Sequence, residues 1–225
     1  MKKRMYPVLL AVVLIILVIA AAVGSKILNK YSYSKVRADL NEYFNLQQED
    51  EIAIVLQDNH IEEKAKLRGD VCYFDLPTVE AYFTDRFYVN PIEQVLQFTT
   101  DTDVITVHIG EQSNVMYVSD MGEELPYQAA FYEGDTLYIA ADYVKKYANM
   151  EYELFTQPLH MQIYTRWGSF TSASVSKKTV LRRLGGIKSD ILVDLAAGES
   201  VIVLEKMDSW SRVKTENAFI GYVEN

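Results

Sequence analysis

GDVCYFDLPTVEAYFTDRFYVNPIEQVLQFT, residues 69–99, and GDTLYIAADYVKKYANMEYELFTQPLHMQIYT, residues 134–165, are two versions of one pattern set 65 residues apart. Gly69, Asp70, Tyr73, Val79, Tyr82 and Gln97 of the first recur as Gly134, Asp135, Tyr138, Val144, Tyr147 and Gln162 of the second. At aligned apolar positions Phe74 matches Ile139, Phe87 matches Tyr152, and Phe98 matches Ile163. Each copy reads as a glycine turn, a short strand, an amphipathic helix and one or two further strands. One such unit cannot cover both faces of its sheet, so two copies are expected to share a core. The expectation is an α+β duplicated domain over residues 49–168.

Upstream of the first copy, EIAIVLQDNH (51–60) places Ile52, Ile54 and Leu56 at the period of two that marks a strand. Residues 26–48, KILNKYSYSKVRADLNEYFNLQQ, mix charges with spaced apolar residues in the manner of a stalk, and no chemistry is assigned to them. Further upstream, MYPVLLAVVLIILVIAAAVGS (5–25) is 21 residues without a charge, preceded by Lys2, Lys3 and Arg4. A helix of about 20 residues spans the roughly 30 Å hydrocarbon core, so residues 1–25 are expected to be a cytoplasmic tip and an N-terminal transmembrane helix, a signal-anchor. A cleaved signal peptide using Ala20-Ala21-Ala22 is the competing reading. With the basic residues inside, the expected product is a single-pass protein of the cell membrane, residues 5–25 in the lipid bilayer and the C-terminal part extracytoplasmic.

After the second copy the character changes. SASVS, TVLRR, ILVDL, SVIVLEK, SRVKT and FIGYV are short β segments separated by turns with no helical period between them. Residues 170–225 are therefore expected to form a C-terminal all-β barrel of SH3-like size. Charge follows the same boundaries: residues 1–25 carry +3, residues 26–169 carry −13, and residues 170–225 carry +1.

Residues 50–165, with their Gly-Asp turns, Tyr-containing strands and helices TVEAYF and YVKKYA, resemble the copper amine oxidase N-terminal-like domain of exported Gram-positive proteins. That resemblance implies structural or ligand-binding modules and no copper chemistry. The C-terminal segment resembles the bacterial SH3 domain. It carries Val180-Leu181-Arg182 before a long loop, Leu195-x-x-Gly198 before the strand from Val201 to Leu204, Trp210-Ser211-Arg212-Val213, and Gly221-Tyr222-Val223, in the order that family shows. A closing strand normally follows the last element, and here two residues follow it. The resemblance places Trp210 and Tyr222 as binding-groove aromatics, with Arg182, Arg183 and Lys188 in or beside the flanking loop.

Composition narrows the chemistry. With 31 acidic against 22 basic side chains the net charge is −9, which disfavours a nucleic-acid partner because phosphate binding needs a basic face. The single cysteine, Cys72, can form neither an internal disulfide nor a thiolate zinc site, and it reads as a core residue. His60, His108 and His160 show no ligand spacing, and Asp101 and Asp103 read as a polar turn rather than a paired-carboxylate site. No nucleophile elbow, phosphate loop or dinucleotide fingerprint occurs, so neither catalytic residues, a cofactor nor a metal is assigned. Aromatic residues make up 12% of the chain; most should be core, and a minority could form stacking surfaces for carbohydrate or peptide.

The expected function is that of a membrane-anchored cell-envelope protein whose SH3-like module binds cell-wall peptidoglycan or glycan. The alternative comes from the order of modules, which resembles the N-terminal half of exported family 18 glycoside hydrolases acting on wall or spore-cortex glycan. Their catalytic Asp-x-x-Asp-x-Asp-x-Glu motif is missing from this sequence, so the chain would be the non-catalytic portion of such an enzyme. A third reading has the acidic body bind a cationic partner or divalent ions.

Overall fold

The computed structural model describes residues 13–19, 30–110, 113–118 and 121–225. After a helical run at 13–19 come α1 (Leu40–Phe44), β1 (Glu51–Leu56), β2 (Asn59–Arg68), β3 (Val71–Asp75), α2 (Leu76–Tyr82), β4 (Phe87–Asn90) and β5 (Val95–Thr99). A meander continues with β6 (Val104–His108), β7 (Val115–Val118) and β8 (Met121–Glu124). The second copy supplies β9 (Ala130–Glu133), β10 (Thr136–Ala140), α3 (Ala141–Tyr147), β11 (Glu151–Thr156) and β12 (Leu159–Tyr164). The C-terminal part consists of β13 (Thr171–Ser174), β14 (Thr179–Arg182), β15 (Ile191–Leu195), β16 (Ser200–Lys206), β17 (Trp210–Thr215) and β18 (Ile220–Glu224).

The 65-residue offset reappears in the strand pairing. β3 and β10 pair antiparallel with Phe74 opposite Ile139, so a local two-fold axis passes between two residues that the offset makes equivalent. The following hairpins keep a common register as well: Phe87 faces Phe98 in β4–β5, and Tyr152 faces Ile163 in β11–β12. Gly69 and Gly134 open their two-residue turns at φ of 61° and 58°, a conformation that costs little only for glycine. The copies differ at the helix start. Asp75 caps α2 by accepting from the Thr78 amide at 2.9 Å, whereas Ala140 precedes α3 and offers no side-chain cap.

The hairpins also diverge in destination. β4–β5 opens a five-stranded sheet ordered β4-β5-β6-β7-β8, while β11–β12 enters a seven-stranded sheet ordered β11-β12-β1-β2-β3-β10-β9. The entry is made by parallel pairing of β12 with β1. Both faces of β1 are consequently buried. Ile52 and Ile54 join the core of the duplicated body with Phe74, Leu96 and Ile139, while Ala53 and Val55 join a second core with Phe44, Leu181, Leu195, Val213 and Phe219. The period of two in β1 thus serves two cores and binds the C-terminal sheet to the body.

Three expectations need correction. The fold is predominantly β rather than evenly α+β: α1, α2 and α3 are five, seven and seven residues long, and strands supply the layers. The C-terminal part is not a closed barrel. Its sheet is ordered β13-β16-β17-β18-β14-β15, and its end strands β13 and β15 do not pair, so closure is lacking. Finally, among the described residues no helix is long and apolar enough to cross a membrane. Of the proposed anchor, residues 5–12 and 20–25 lie outside the described residues. The transmembrane helix, the bilayer partner and the single-pass membrane localisation are therefore not supported.

Candidate functional site

Residues 32–42, read above as part of a stalk, lie along the C-terminal sheet. The Ser34 amide donates to the Ile187 carbonyl at 2.7 Å, the Ile191 amide to Val36 at 2.9 Å, and the Ala38 amide to Ile191 at 2.9 Å. Arg37 thereby forms a parallel bridge to Ile191, on the edge of β15 left free by β14. The arm ends in α1, whose Phe44 is buried in the second core.

This arm meets the basic residues expected to flank a groove. Arg182 is 3% exposed and donates to the carbonyls of Ser189 at 2.6 Å and Ser34 at 3.2 Å. Arg183 pairs with Glu42 at 3.1 Å, and Lys188 donates to the Ser32 carbonyl at 2.6 Å. All three therefore hold the chain's own N-terminal arm. Trp210 and Tyr222 are half-buried and come together beneath the turn at Gly185. A Cβ at Gly185 would lie 3.4 Å from the Tyr222 ring and 3.5 Å from the Trp210 ring.

The titratable residues considered for catalysis hold structural positions. Cys72 is buried, and desolvation pushes its thiol up to about 11, away from thiolate chemistry at neutral pH. His60 and His160 converge on the Phe44 ring at 5.2 and 4.3 Å. His160 is fully buried, with Nδ1 2.7 Å from the Pro158 carbonyl and Nε2 2.8 Å from that of Asn217. His60 Nε2 lies 3.2 Å from the Tyr43 hydroxyl; the residue is exposed along one edge, and desolvation of the ring where it packs on Phe44 pushes its pKa down to about 4. Asp103 accepts from the Thr102 hydroxyl at 2.6 Å within a tight turn, and Asp101 is fully exposed. Among the described residues no group of three or more His, Cys, Asp or Glu side chains could hold a metal ion.

The feature with ligand-binding geometry lies elsewhere. A cleft of about 620 Å³ opens where the body meets the C-terminal sheet, walled by Gln57 and Asp58 of the β1–β2 turn, Tyr164 at the end of β12, and the connector 166–170. Ile202 of β16 and Lys214 of β17 close the other side. The wall is built by Gln57, which sits at φ 57°. Its side chain accepts from the Thr165 amide at 3.0 Å and donates to the Arg166 carbonyl at 3.0 Å, fixing the connector where it leaves the sheet. Gln162, one of the residues recurring at the 65-residue offset, is buried and donates to the Gln57 carbonyl at 2.8 Å.

Lys214 is the polar anchor of the cleft. Its side chain is only 2% exposed, and Nζ donates to the Gln57 carbonyl at 2.8 Å and to Asp58 Oδ1 at 2.7 Å. The ammonium also lies 4.9 Å from the centre of the Tyr164 ring. Asp58 is half-exposed and keeps its second carboxylate oxygen for an incoming donor. Trp167 and Phe170 are 58% and 69% exposed at the rim, unusual for rings of that size. The volume suits a small ligand or a short segment of a polymer, and the lining combines stacking faces with a few fixed polar groups.

No family model matches the chain, and no curated protein or solved structure matches it.

Sequence reading missed this site because it straddles the boundary drawn between the two modules. The available signal was RWGSF (166–170), two large rings beside a glycine in a connector with no apolar neighbours to bury them.

Proposed function

We propose that the protein is a non-catalytic binding protein for cell-wall peptidoglycan, and that the ligand seats in the Trp167–Phe170 cleft rather than in the groove of Trp210 and Tyr222. The observation that carries this reading is the pair of exposed rings lining the same cleft as a buried, doubly bonded ammonium. Indole and phenyl faces take the C–H faces of sugars and small side chains, while Asp58 and the connector backbone supply directional bonds. The resemblance of residues 170–225 to the bacterial SH3 domain is what directs the choice of polymer toward the wall.

The test is co-sedimentation of the full chain with purified wall sacculi. Wild type should pellet, and the Trp167→Ala/Phe170→Ala double variant should bind roughly 10- to 100-fold more weakly, about 1 kcal/mol for each stacking ring. Trp210→Ala/Tyr222→Ala serves as the comparison. If the first double variant pellets like wild type, the cleft is not the binding site.

A further inference from the structure

We infer that the ligand of this cleft presents a carboxylate, and that Arg166 receives it; this rests on the reading above that the cleft is the binding site. Three observations lead there. First, the fixed polar pair on the cleft floor is electrically balanced, because Lys214 Nζ lies 2.7 Å from Asp58 Oδ1. Arg166 then leaves the cleft with one surplus positive charge. Secondly, Arg166 is exposed and, among the described residues, makes no ion pair or side-chain hydrogen bond. Lys66, Lys145 and Lys146 of the same body are tied to carboxylates, and Lys64 and Arg68 donate to a carbonyl and an amide oxygen, so each side chain has an acceptor that Arg166 lacks. Thirdly, residues 26–169 carry −13, so an anionic ligand is repelled from most of this surface and drawn to the place where positive charge is uncompensated.

The side-chain type fits. A guanidinium offers a planar fork of donors that meets both oxygens of a carboxylate, and it stacks as readily as it pairs. Trp167 follows Arg166 directly, and the Arg166 carbonyl is held by Gln57 at 3.0 Å. The fork and the indole are therefore presented by one fixed backbone segment. A ligand carrying an acid beside an apolar or sugar face would engage both. In wall material two sources share that chemistry: the C-terminus of a stem peptide, and the lactyl acid of a muramic sugar that carries no stem peptide.

The test uses the full chain and four probes: acetyl-Ala-Ala-Ala with a free C-terminus, its C-terminal amide, N-acetylmuramic acid, and its methyl ester. Binding is followed by titration calorimetry. At least one acid should bind about tenfold more tightly than its neutral partner, the margin expected of one charge-assisted bidentate contact at an open site. The acid that shows the larger margin identifies the source. Arg166→Gln should reduce that margin to near one, and Arg166→Lys should restore only part of it.

The two ideas fail separately. If Trp167→Ala/Phe170→Ala abolishes sacculus binding while acid and neutral probes bind equally, the carboxylate assignment is overturned and the cleft reading stands. If an acid is preferred but Arg166→Gln leaves the margin unchanged, the assignment to Arg166 is overturned. If no probe binds at millimolar concentration, the carboxylate inference falls. If sacculus binding is also indifferent to the two rings, both ideas fall.

Discussion

Lys214 and Asp58 form a pair in which the exposed partner should matter more than the buried one. The Lys214 side chain is 2% exposed and that of Asp58 51%. Replacing Lys214 by Met removes the charge and keeps most of the volume. The Gln57 carbonyl it leaves still accepts from Gln162 at 2.8 Å, and the half-exposed Asp58 carboxylate turns to water. No group is stranded, so two lost charge-assisted bonds are offset by relief of the ammonium's desolvation, and the net cost should be about 0–2 kcal/mol. Asp58→Ala does the opposite: it leaves the ammonium in place with one carbonyl at 2.8 Å and the Tyr164 ring at 4.9 Å. Stranding a buried charge costs about 3–5 kcal/mol, and water reaching Nζ through the cleft lowers this to about 2–4 kcal/mol. The double variant should then resemble Lys214→Met alone, so the coupling equals the Asp58→Ala cost, about 2–4 kcal/mol. Urea unfolding of the full chain, followed by far-ultraviolet circular dichroism, measures all three. The reasoning is refuted if Lys214→Met destabilises more than Asp58→Ala, or if the two changes add.

Two further outcomes can be measured by unfolding of the same chain. Gly221→Ala would set a Cβ 2.6 Å from the Arg182 carbonyl oxygen, 2.8 Å from Leu181 and 3.1 Å from Leu192. The first of these is backbone and cannot swing away, so a loss of about 3 kcal/mol is expected, with the β14–β18 pairing going first; a urea midpoint equal to wild type would contradict it. His60 gives a pH dependence. Its folded pKa of about 4 lies below the ordinary 6.5, chiefly through desolvation, with His160 adding to it. The folded state thus binds fewer protons, and the stability present above pH 6.5 drains away as the pH falls through about 4. The full shift corresponds to about 3 kcal/mol, which solvent at the residue's exposed edge reduces to roughly 1–2 kcal/mol. His60→Gln should flatten that part of the curve between pH 7 and pH 4; identical slopes in the two proteins would count against it.

What could be read from the sequence was local or periodic. The glycine turns at Gly69 and Gly134 and the alternation in β3 and β10 depend on neighbouring residues, and the 65-residue offset carries over into strand register without adjustment. The destinations of the two hairpins could not be read that way. Aligned residues Phe98 and Ile163 sit in different sheets because β12 finds β1 as a parallel neighbour more than a hundred residues away, whereas β5 finds β6 across a short turn. The cysteine was legible for a similar reason, since an apolar strand flanks Cys72 on both sides.

The cleft escaped because each of its parts has an ordinary local reading. Gln57 belongs to a hairpin turn, Lys214 alternates with Val213 in a strand, and Trp167 falls in a connector. Only folding reveals that one carbonyl, that of Gln57, receives both the buried lysine of the C-terminal sheet and the recurring glutamine of the body. The same logic applies to the arm. Arg182 fits an SH3-like groove by position, yet its guanidinium is buried beneath residues 32–38, which occupy the edge of β15. A basic residue identified by motif had its partner supplied by a segment that carried no motif. In a chain of this kind the open site is therefore to be sought at the seam between modules, where rings stay exposed because neither core can reach them, and not in the groove that one module taken alone would offer.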